Sequence, residues 1–264
     1  MLASETPYDL NADLALLVET IREAGALAST LFRQRLRGWN KSDGSPVSEA
    51  DLTIDRLLKI RLTEARPQYG WLSEESPDDL TRLTQSHVWI VDPIDGTRAF
   101  LSGRTHWCIG VALVAAGRPV IAAVYRPLTE DLYTAVRAAG CHLNGMALTI
   151  APGATLKGAR VIGSKTALKP LLSLGIEPVT LPELPMLLRA CLVAAGDYEA
   201  MIATGNKNDW DLAAGDLIVN EAGGMMTDGA GALMIYNRRE AWQSGLAGGG
   251  GAHHAKIIAA MRAP

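Results

Sequence analysis

The stretch His87-Val88-Trp89-Ile90-Val91-Asp92-Pro93-Ile94-Asp95-Gly96-Thr97-Arg98-Ala99-Phe100 is the most informative part of the chain. Its short apolar run, from Val88 to Val91, predicts a buried strand. This strand is expected to end at Asp92, because Pro93 has no backbone N–H with which to continue a central strand. The sequence therefore predicts an acidic residue at the mouth of a buried strand, followed by a tight loop.

Two carboxylates stand three residues apart in this loop. Asp92 and Asp95 would repel each other and raise each other's pKa unless a cation lay between them. Gly96 allows the backbone to approach a ligand closely, and the N–H groups that open a following helix would face an anion. A metal site beside phosphate-binding backbone is typical of a phosphate-ester site. The alternative is that both aspartates only satisfy local turn backbone, as aspartate often does.

Four segments, in order along the chain, resemble the inositol monophosphatase family. The first runs from Lys41 to Asp51, and the second is Ser73-Glu74-Glu75-Ser76, in which serine replaces the family's glycine. The third is Asp92-Pro93-Ile94-Asp95-Gly96-Thr97, and the fourth runs from Trp210 to Gly224. The matches are spread over most of the chain, so the resemblance does not depend on one short motif.

The resemblance implies an Mg²⁺-dependent, lithium-sensitive phosphatase that forms a homodimer. It implies the layered αβαβα sandwich of the inositol monophosphatase and fructose-1,6-bisphosphatase type. It also implies two to three Mg²⁺ ions, held by Glu74, Asp92, Asp95, Asp211 and the backbone carbonyl of Ile94. All of these ligand atoms are oxygens, the donors that hard cations such as Mg²⁺ prefer.

In the family, a metal-activated water attacks phosphorus directly, without a covalent phosphoenzyme. By resemblance, Thr97 takes up the proton of this water with Asp51 behind it, and Glu74 belongs to the same catalytic group. Lys41 is given a supporting role near the metal-site loop, although a solvated loop charge is the simpler interpretation. These roles are expectations that depend on the resemblance and not on spacing alone.

Several of these acids also have a purely structural interpretation. Ser48 and Asp51 fit a capping box at the start of a helix. Asp211 is predicted in the first turn of another helix, where the macrodipole favours an anion. Glu74 and Glu75 could belong to a plain solvated acidic loop. A residue can serve both purposes, so both interpretations stay open.

The substrate is the least determined part. The resemblance predicts that Asp95, Gly96, Thr97 and Thr204 contact a small, inositol monophosphate-like ester, yet Thr204 stands where inositol-specific members carry an acid. Residues 97–100 resemble the bisphosphate nucleotidase and histidinol phosphatase branches. An aromatic content of 5% counts mildly against stacking of an adenine base. A regulatory binding protein on the same fold is a further alternative.

The composition is that of an ordinary globular protein, with 48% hydrophobic and 20% charged residues. The net charge of −3 argues against non-specific nucleic-acid binding. Three widely spaced cysteines favour reduced thiols and a cytoplasmic location. Residues 1–7 lack the pattern of a signal peptide. The most apolar stretch, residues 108–125, is interrupted by Gly117-Arg118-Pro119, which predicts a hairpin and not a membrane span.

The hydrophobic pattern predicts α+β structure that gives way to α/β. Helices are expected at about 10–37 and 48–66, strands at 88–92, 107–115, 119–126 and 131–137, and alternating strands and helices beyond about residue 150. We therefore expect an N-terminal part, 1–150, that carries most metal ligands, and a C-terminal part, 151–264, that carries Asp211. A helix is expected to open at Asp211 and to stop at Gly223-Gly224. His253-His254 is expected at the surface of a final helix.

Overall fold

The computed structural model describes residues 9–34, 36–42, 44–153 and 155–262, so residues 1–7, where no signal peptide is expected, lie outside it. The α-helices of the described residues are α1 (Leu10–Phe32), α2 (Glu49–Ala65), α3 (Thr97–Leu101), α4 (Lys165–Leu168), α5 (Met186–Ala194), α6 (Asp209–Glu221) and α7 (Gly251–Arg262). The strands of the N-terminal part are β1 (Gly38–Asn40), β2 (Pro46–Ser48), β3 (Gly70–Ser73), β4 (His87–Asp95), β5 (Cys108–Ala115), β6 (Arg118–Arg126), β7 (Asp131–Val136), β8 (Gly140–Leu143) and β9 (Met146–Leu148). Those of the C-terminal part are β10 (Arg160–Ile162), β11 (Glu177–Val179), β12 (Ala200–Asn208), β13 (Gly224–Thr227) and β14 (Trp242–Gly250).

Strands β3 to β9 form a seven-stranded sheet in chain order, antiparallel except for the β3–β4 pair. Contrary to the sequence expectation, β4 does not stop at Asp92 but continues to Asp95. Asp92 pairs with Gly110 and Asp95 with Cys108, so one extra residue of β4 is accommodated in a register shift. Pro93 lies within this irregularity, where a missing N–H does not break a regular ladder.

Both faces of strand β4 are buried, and because side chains alternate along a strand, its residues enter two different clusters. On β4, Trp89 and Val91 join the cluster formed with helices α1 and α2. Val88 and Ile90 point the other way, into the cluster that contains α5 and α6. The apolar run that predicted a buried strand is therefore buried on both faces.

A second sheet lies beyond α5 and α6, with five strands in the order β11-β10-β12-β14-β13. Met201 of β12 packs towards the central helices, whereas Ile202 packs outward with Leu168 of α4 and Ile257 of α7. The layers are therefore α1/α2, the seven-stranded sheet, α5/α6, the five-stranded sheet and α4/α7. This order confirms the expected αβαβα sandwich. The two-part division at residue 150 follows the change of sheet, and we keep it as a proposal because α5 and α6 pack on both sheets.

Some local expectations need correction. Helix α1 ends at Phe32 and not near residue 37, because the apolar periodicity that supports it stops there. Strand β14 had no counterpart in the sequence analysis. His253 and His254 are buried and not on the surface. Nε2 of His253 lies 2.8 Å from the Thr155 carbonyl oxygen, and Nε2 of His254 lies 2.8 Å from Thr227 Oγ1.

The three cysteines, Cys108, Cys141 and Cys191, are all buried and free, as the sequence predicts. Burial raises the pKa of each thiol, which favours the protonated form. In the described part of the chain, no helix has the length and apolar character needed to cross a bilayer.

Candidate active site

A cavity of about 550 Å³ opens where β4 ends, between residues 92–97, which we call the signature loop, and the start of α5. The predicted site residues that line it are Glu74, Asp92, Ile94, Asp95, Gly96, Thr97 and Asp211. Its outer wall is formed by residues 182–185 and by Arg98 and Arg104. Segments that lie far apart in sequence thus meet in one polar cavity.

Three aspartates form the centre of the cavity. Asp92, Asp95 and Asp211 each offer a carboxylate oxygen, and these oxygens all lie within 4.8 Å of one another. The first two come from the irregular end of β4, and Asp211 comes from the first turn of α6. Asp211 also accepts a bond from the Asn208 N–H at 3.0 Å, so it completes a capping box as well as facing the cavity. Its structural and site interpretations therefore hold together.

The hydrogen bonds of this cluster are incomplete among the described residues. Asp95 Oδ2 accepts a bond from the Leu187 N–H, at 2.8 Å, near the start of α5. Asp92 Oδ1 is buried, and in the described part of the chain it has no hydrogen-bond partner. A buried carboxylate oxygen without a donor is costly, and coordination of a cation would satisfy it.

Burial is the main cause that raises the pKa of all three aspartates, followed by repulsion from neighbouring carboxylates. The pKa of Asp211 is raised to about 7, and those of Asp92 and Asp95 lie well above their usual range. A divalent cation between the three would counteract both causes, because its charge favours the ionised carboxylates. The donor set, oxygens only and of high negative charge, fits a hard ion such as Mg²⁺.

The loop that carries Glu74 is fixed to helix α2. Asp55 accepts hydrogen bonds from Ser73 at 2.5 Å and from Ser76 at 2.7 Å, on either side of the glutamate pair. The serine that replaces the family's glycine therefore has a structural role, because it helps to orient the loop. Glu74 also continues the pairing of β3 with β4, since its N–H donates to Val91 O at 3.3 Å.

Lys41 lies between the two glutamates of this loop. Its Nζ is 3.0 Å from Glu74 Oε1 and 2.8 Å from Glu75 Oε1. Burial raises the pKa of Glu75 to about 7 in spite of the lysine. The glutamate pair is thus not a solvated acidic surface, and Lys41 partly offsets the negative charge at the edge of the cavity.

The side chains of Thr97 and Asp51 are joined by a hydrogen bond. Thr97 Oγ1 donates to Asp51 Oδ1 at 2.8 Å and also lies 3.2 Å from the Ile94 carbonyl. The other oxygen of Asp51 accepts the Ser48 N–H, at 2.9 Å, in a capping box. Asp51 thus caps α2 with one oxygen and holds Thr97 with the other. Burial raises the pKa of Asp51, against the effect of these bonds.

Gly96 is the residue that permits the chain to turn from β4 into α3. Its φ of 106° lies in the left-handed region that favours glycine. A Cβ at this position would lie 2.7 Å from Pro185 Cγ and 2.9 Å from the His106 carbonyl oxygen. The signature loop and the outer wall of the cavity are therefore in close contact.

Other predicted positions lie elsewhere. Thr204 is exposed, in the irregular part of β12, and is not among the residues that line the cavity. His106, for which the sequence predicts no site role, lines a neighbouring and mostly apolar cavity. Sequence reasoning missed the Leu187 N–H that binds Asp95 and the contact of Lys41 with Glu75. A backbone donor such as the Leu187 N–H has no signal in the sequence. Lys41 and Glu75 can be seen in the sequence, but their contact across the fold cannot.

The chain is similar to several known proteins. It is 36% identical to the inositol-1-monophosphatase of Rhizobium meliloti (strain 1021) over 237 residues, which are 84% of this chain and 87% of that protein. It is 29% identical over 245 residues, 86% of this chain and 88% of the relative, to the 3′(2′),5′-bisphosphate nucleotidase CysQ of Aggregatibacter actinomycetemcomitans. A crystal structure of the extragenic suppressor protein suhB from Bartonella henselae superposes with a TM-score of 0.83 at 25% identity, covering 95% of this chain and 98% of that one.

The model of the inositol monophosphatase family matches residues 9–263, nearly the whole chain. This match includes all four segments on which the resemblance was based. Together with the sandwich fold and the acidic cavity, it establishes that the chain belongs to the inositol monophosphatase family.

Proposed function

We propose that the protein is an Mg²⁺-dependent phosphomonoesterase that hydrolyses a small phosphorylated metabolite of the inositol monophosphate type. Its class, phosphoric monoester hydrolase, follows from family membership. The observation that carries the metal-dependent mechanism is the cluster of Asp92, Asp95 and Asp211 with its unsatisfied buried oxygen, directly beside the Thr97–Asp51 pair.

In this proposal two to three Mg²⁺ ions would be held by Glu74, Asp92, Asp95, Asp211 and the Ile94 carbonyl. When bound, Mg²⁺ lowers the pKa of a water and neutralises charge on the leaving oxygen. The acids would fix the positions of the ions, because the end of β4 holds Asp92 and Asp95 and the start of α6 holds Asp211. Lys41 keeps Glu74 in place and limits the total negative charge.

The residues of this chain would handle the proton. Thr97 Oγ1 takes the proton of the attacking water while its own moves towards Asp51 Oδ1, 2.8 Å away. The raised pKa of Asp51 makes it a better acceptor than an exposed aspartate. The backbone N–H groups of Gly96 and Thr97 would hold phosphoryl oxygens. Asp95 would contact both metal and substrate, with Thr204 as the more distant substrate candidate.

A second candidate substrate is a nucleoside bisphosphate, which carries a further anionic group and is the substrate type of 3′(2′),5′-bisphosphate nucleotidases. Histidinol phosphate, the substrate of the histidinol phosphatase branch, is the other alternative. The observation that favours the bisphosphate is the presence of Arg98 and Arg104 on the outer wall of the cavity. A regulatory binding protein that uses the same cavity remains the alternative outside catalysis.

The experiment is phosphate release from a panel of inositol 1-phosphate, 3′-phosphoadenosine 5′-phosphate, histidinol phosphate and fructose 1,6-bisphosphate. We expect activity with Mg²⁺, none in excess EDTA, recovery when Mg²⁺ is restored, and inhibition by millimolar Li⁺. Mg²⁺ should also raise the melting temperature, because an ion that binds only the folded state stabilises it. Full activity in EDTA would remove the metal from the proposal. Mg²⁺ binding without release from any ester would favour the regulatory alternative.

The family resemblance also underlies our proposal of a homodimer. A cytoplasmic location is proposed from the three free cysteines. Direct nucleic-acid binding is not part of the proposal, because the net charge is −3.

A further inference from the structure

A short segment, residues 181–185, which we call the wall segment, separates the active-site cavity from a second cavity of about 380 Å³. Residues 182–184 line both spaces, and the second cavity is otherwise lined mainly by side chains such as Tyr133, Leu188 and Leu192. Leu184 and Pro185 are buried, whereas residues 181–183 are exposed, so side-chain packing fixes only the end of the segment that leads into α5. Other interactions must hold it in place.

Arg189, on helix α5, holds the wall segment by its backbone. Its Nε donates to the Leu184 carbonyl at 2.8 Å, and its Nη2 donates to the Leu181 carbonyl at 3.2 Å. Because the guanidinium is planar and presents its donors in a fixed fork, two such bonds fix both position and orientation. An exposed ion pair between Glu183 and Arg104 adds a weaker tether from the loop after α3.

The wall segment leads directly into the part of α5 that contacts the metal-binding cluster. The N–H of Leu187 donates to Asp95 Oδ2, and Pro185 lies so close to Gly96 that a Cβ there would be 2.7 Å from Pro185 Cγ. A movement of the wall would therefore disturb the signature loop and withdraw the donor from Asp95. A displacement of about 1 Å can cost an enzyme a large factor in rate.

We propose that Arg189 is a positioning residue that couples the wall segment to Asp95, and so sets both the metal affinity and the size of the alcohol that the cavity accepts. The metal arm depends on the geometry around Asp95. The arm on alcohol size rests on the proposed phosphatase function. The two arms are measured separately, so failure of the proposed phosphatase function can be distinguished from failure of the role proposed for Arg189.

The metal arm uses Mg²⁺ alone as the probe, in calorimetric titration of the purified full chain. Arg189→Met should weaken Mg²⁺ binding about tenfold, as loss of support behind a metal ligand does. Arg189→Lys should fall between, because an ammonium lacks the fork that spans both carbonyls. The control is Arg137→Met, which removes another arginine-to-carbonyl bond, to Pro119, away from the cavity. Its Mg²⁺ affinity should equal that of the wild type.

The substrate arm compares kcat/KM for inositol 1-phosphate with that for the smaller glycerol 2-phosphate. Arg189→Met should shift this ratio about tenfold towards the larger ester, on the scale of a small misfit in a pocket. Glu183→Gln removes only the weaker outer tether, so it should shift the ratio in the same direction by a smaller factor.

A folded Arg189→Met variant with wild-type Mg²⁺ affinity would overturn the proposal, whatever its ratio. If that variant does not fold, wild-type affinity in Arg189→Lys together with a wild-type ratio in Glu183→Gln would overturn it equally. If the wild type releases phosphate from no ester, the proposed function fails, and the Mg²⁺ titration still decides the role of Arg189.

Discussion

Individual residues in this site serve structure and chemistry at the same time. Asp51 caps α2 through one carboxylate oxygen and holds Thr97 through the other. Asp211 caps α6 and faces the acidic cluster. Both aspartates can therefore cap a helix and belong to the site, because a carboxylate has two oxygens and a capped helix start holds the side chain in a fixed position. Substitutions can separate the two roles.

Thr97 and Asp51 should behave as one unit. Thr97→Ala and Asp51→Asn are each expected to lower kcat severely with little change in KM, because both act on the attacking water and not on ground-state binding. The double variant should be hardly worse than the poorer single one, since units of this kind are strongly non-additive. Steady-state kinetics of the three variants tests this. Additive losses on a logarithmic scale would mean that the residues do separate jobs.

Asp211→Asn should keep the start of α6, because asparagine also accepts the Asn208 N–H. It removes the charge at the metal cluster, so we expect a loss of kcat on the order of a hundredfold or more, as for loss of a transition-state stabiliser. Asp209→Asn is the matched control. Asp209 is buried two residues before Asp211, but it accepts a hydrogen bond from the Gln243 side chain and does not belong to the acidic cluster. Activity of Asp211→Asn within a factor of two of wild type would leave Asp211 with its capping role only.

At the scale of elements, the site depends on how closely α5 and α6 approach each other and the sheet. Helix α5 supplies the N–H for Asp95, and α6 supplies Asp211. Gly110 on β5 lies beneath the Leu187 side chain, where a Cβ would be 2.1 Å from Leu187 Cδ1. Gly215 on α6 lies against Ala190 of α5, where a Cβ would be 2.7 Å from the alanine Cβ. Glycines at these contacts set the spacing of the layers.

Gly215→Ala should destabilise the protein although alanine is the better helix former. The gain in helix propensity is about 1 kcal/mol, whereas overpacking of a core costs about 1–3 kcal/mol. We expect a net loss of up to about 2 kcal/mol in denaturant unfolding, because an alanine Cβ cannot rotate away. Gly251→Ala at the start of α7 is the control, since no atom lies within 4 Å of its added Cβ. Equal stability of Gly215→Ala and wild type would contradict this prediction, because it would mean that α5 and α6 can move apart without loss of stability.

At the scale of the whole molecule, buried charge away from the site makes stability depend on pH. Asp216 on α6 is fully buried, and burial raises its pKa from 3.8 to about 6. Its Oδ2 has no hydrogen-bond partner among the described residues, although the Arg118 guanidinium forms an ion pair with it at 3.5 Å. The folded protein therefore holds this proton more tightly than the unfolded chain. Stability from this group is present below about pH 4 and is lost as the pH rises through 6.

Asp216→Asn tests this dependence. The shift of about two pKa units corresponds to about 3 kcal/mol, of which about half is lost between pH 5 and pH 8. Because asparagine does not titrate, the variant should gain about 1.5 kcal/mol relative to wild type over that interval. Urea unfolding of both proteins at the two pH values, in the same metal-free buffer, measures it. The same difference in unfolding free energy at pH 5 and pH 8 would contradict the assignment.

The sequence by itself determined the family, the layered fold class and the acids that surround the cavity. These features have local signals: a buried run that ends on Asp92, a second acid three residues later, and Asp211 beside a tryptophan. Their chemistry needs particular side chains at particular spacings, so it is written in the motif. The sequence also showed why Asp51 and Asp211 stand at helix starts, since capping depends on neighbours within three residues.

Only the tertiary structure decided how distant segments meet. Strand β14 was missed because its glycines carry no side chains that could show the alternation typical of a strand. A Cβ on Gly250 would lie 2.5 Å from the Ala151 carbonyl oxygen. There, close backbone approach and not side-chain pattern selects the residue. The bonds from Lys41 to Glu75 and from Leu187 to Asp95 join residues 34 and 92 positions apart. Such contacts depend on the packing of layers, which no local pattern encodes.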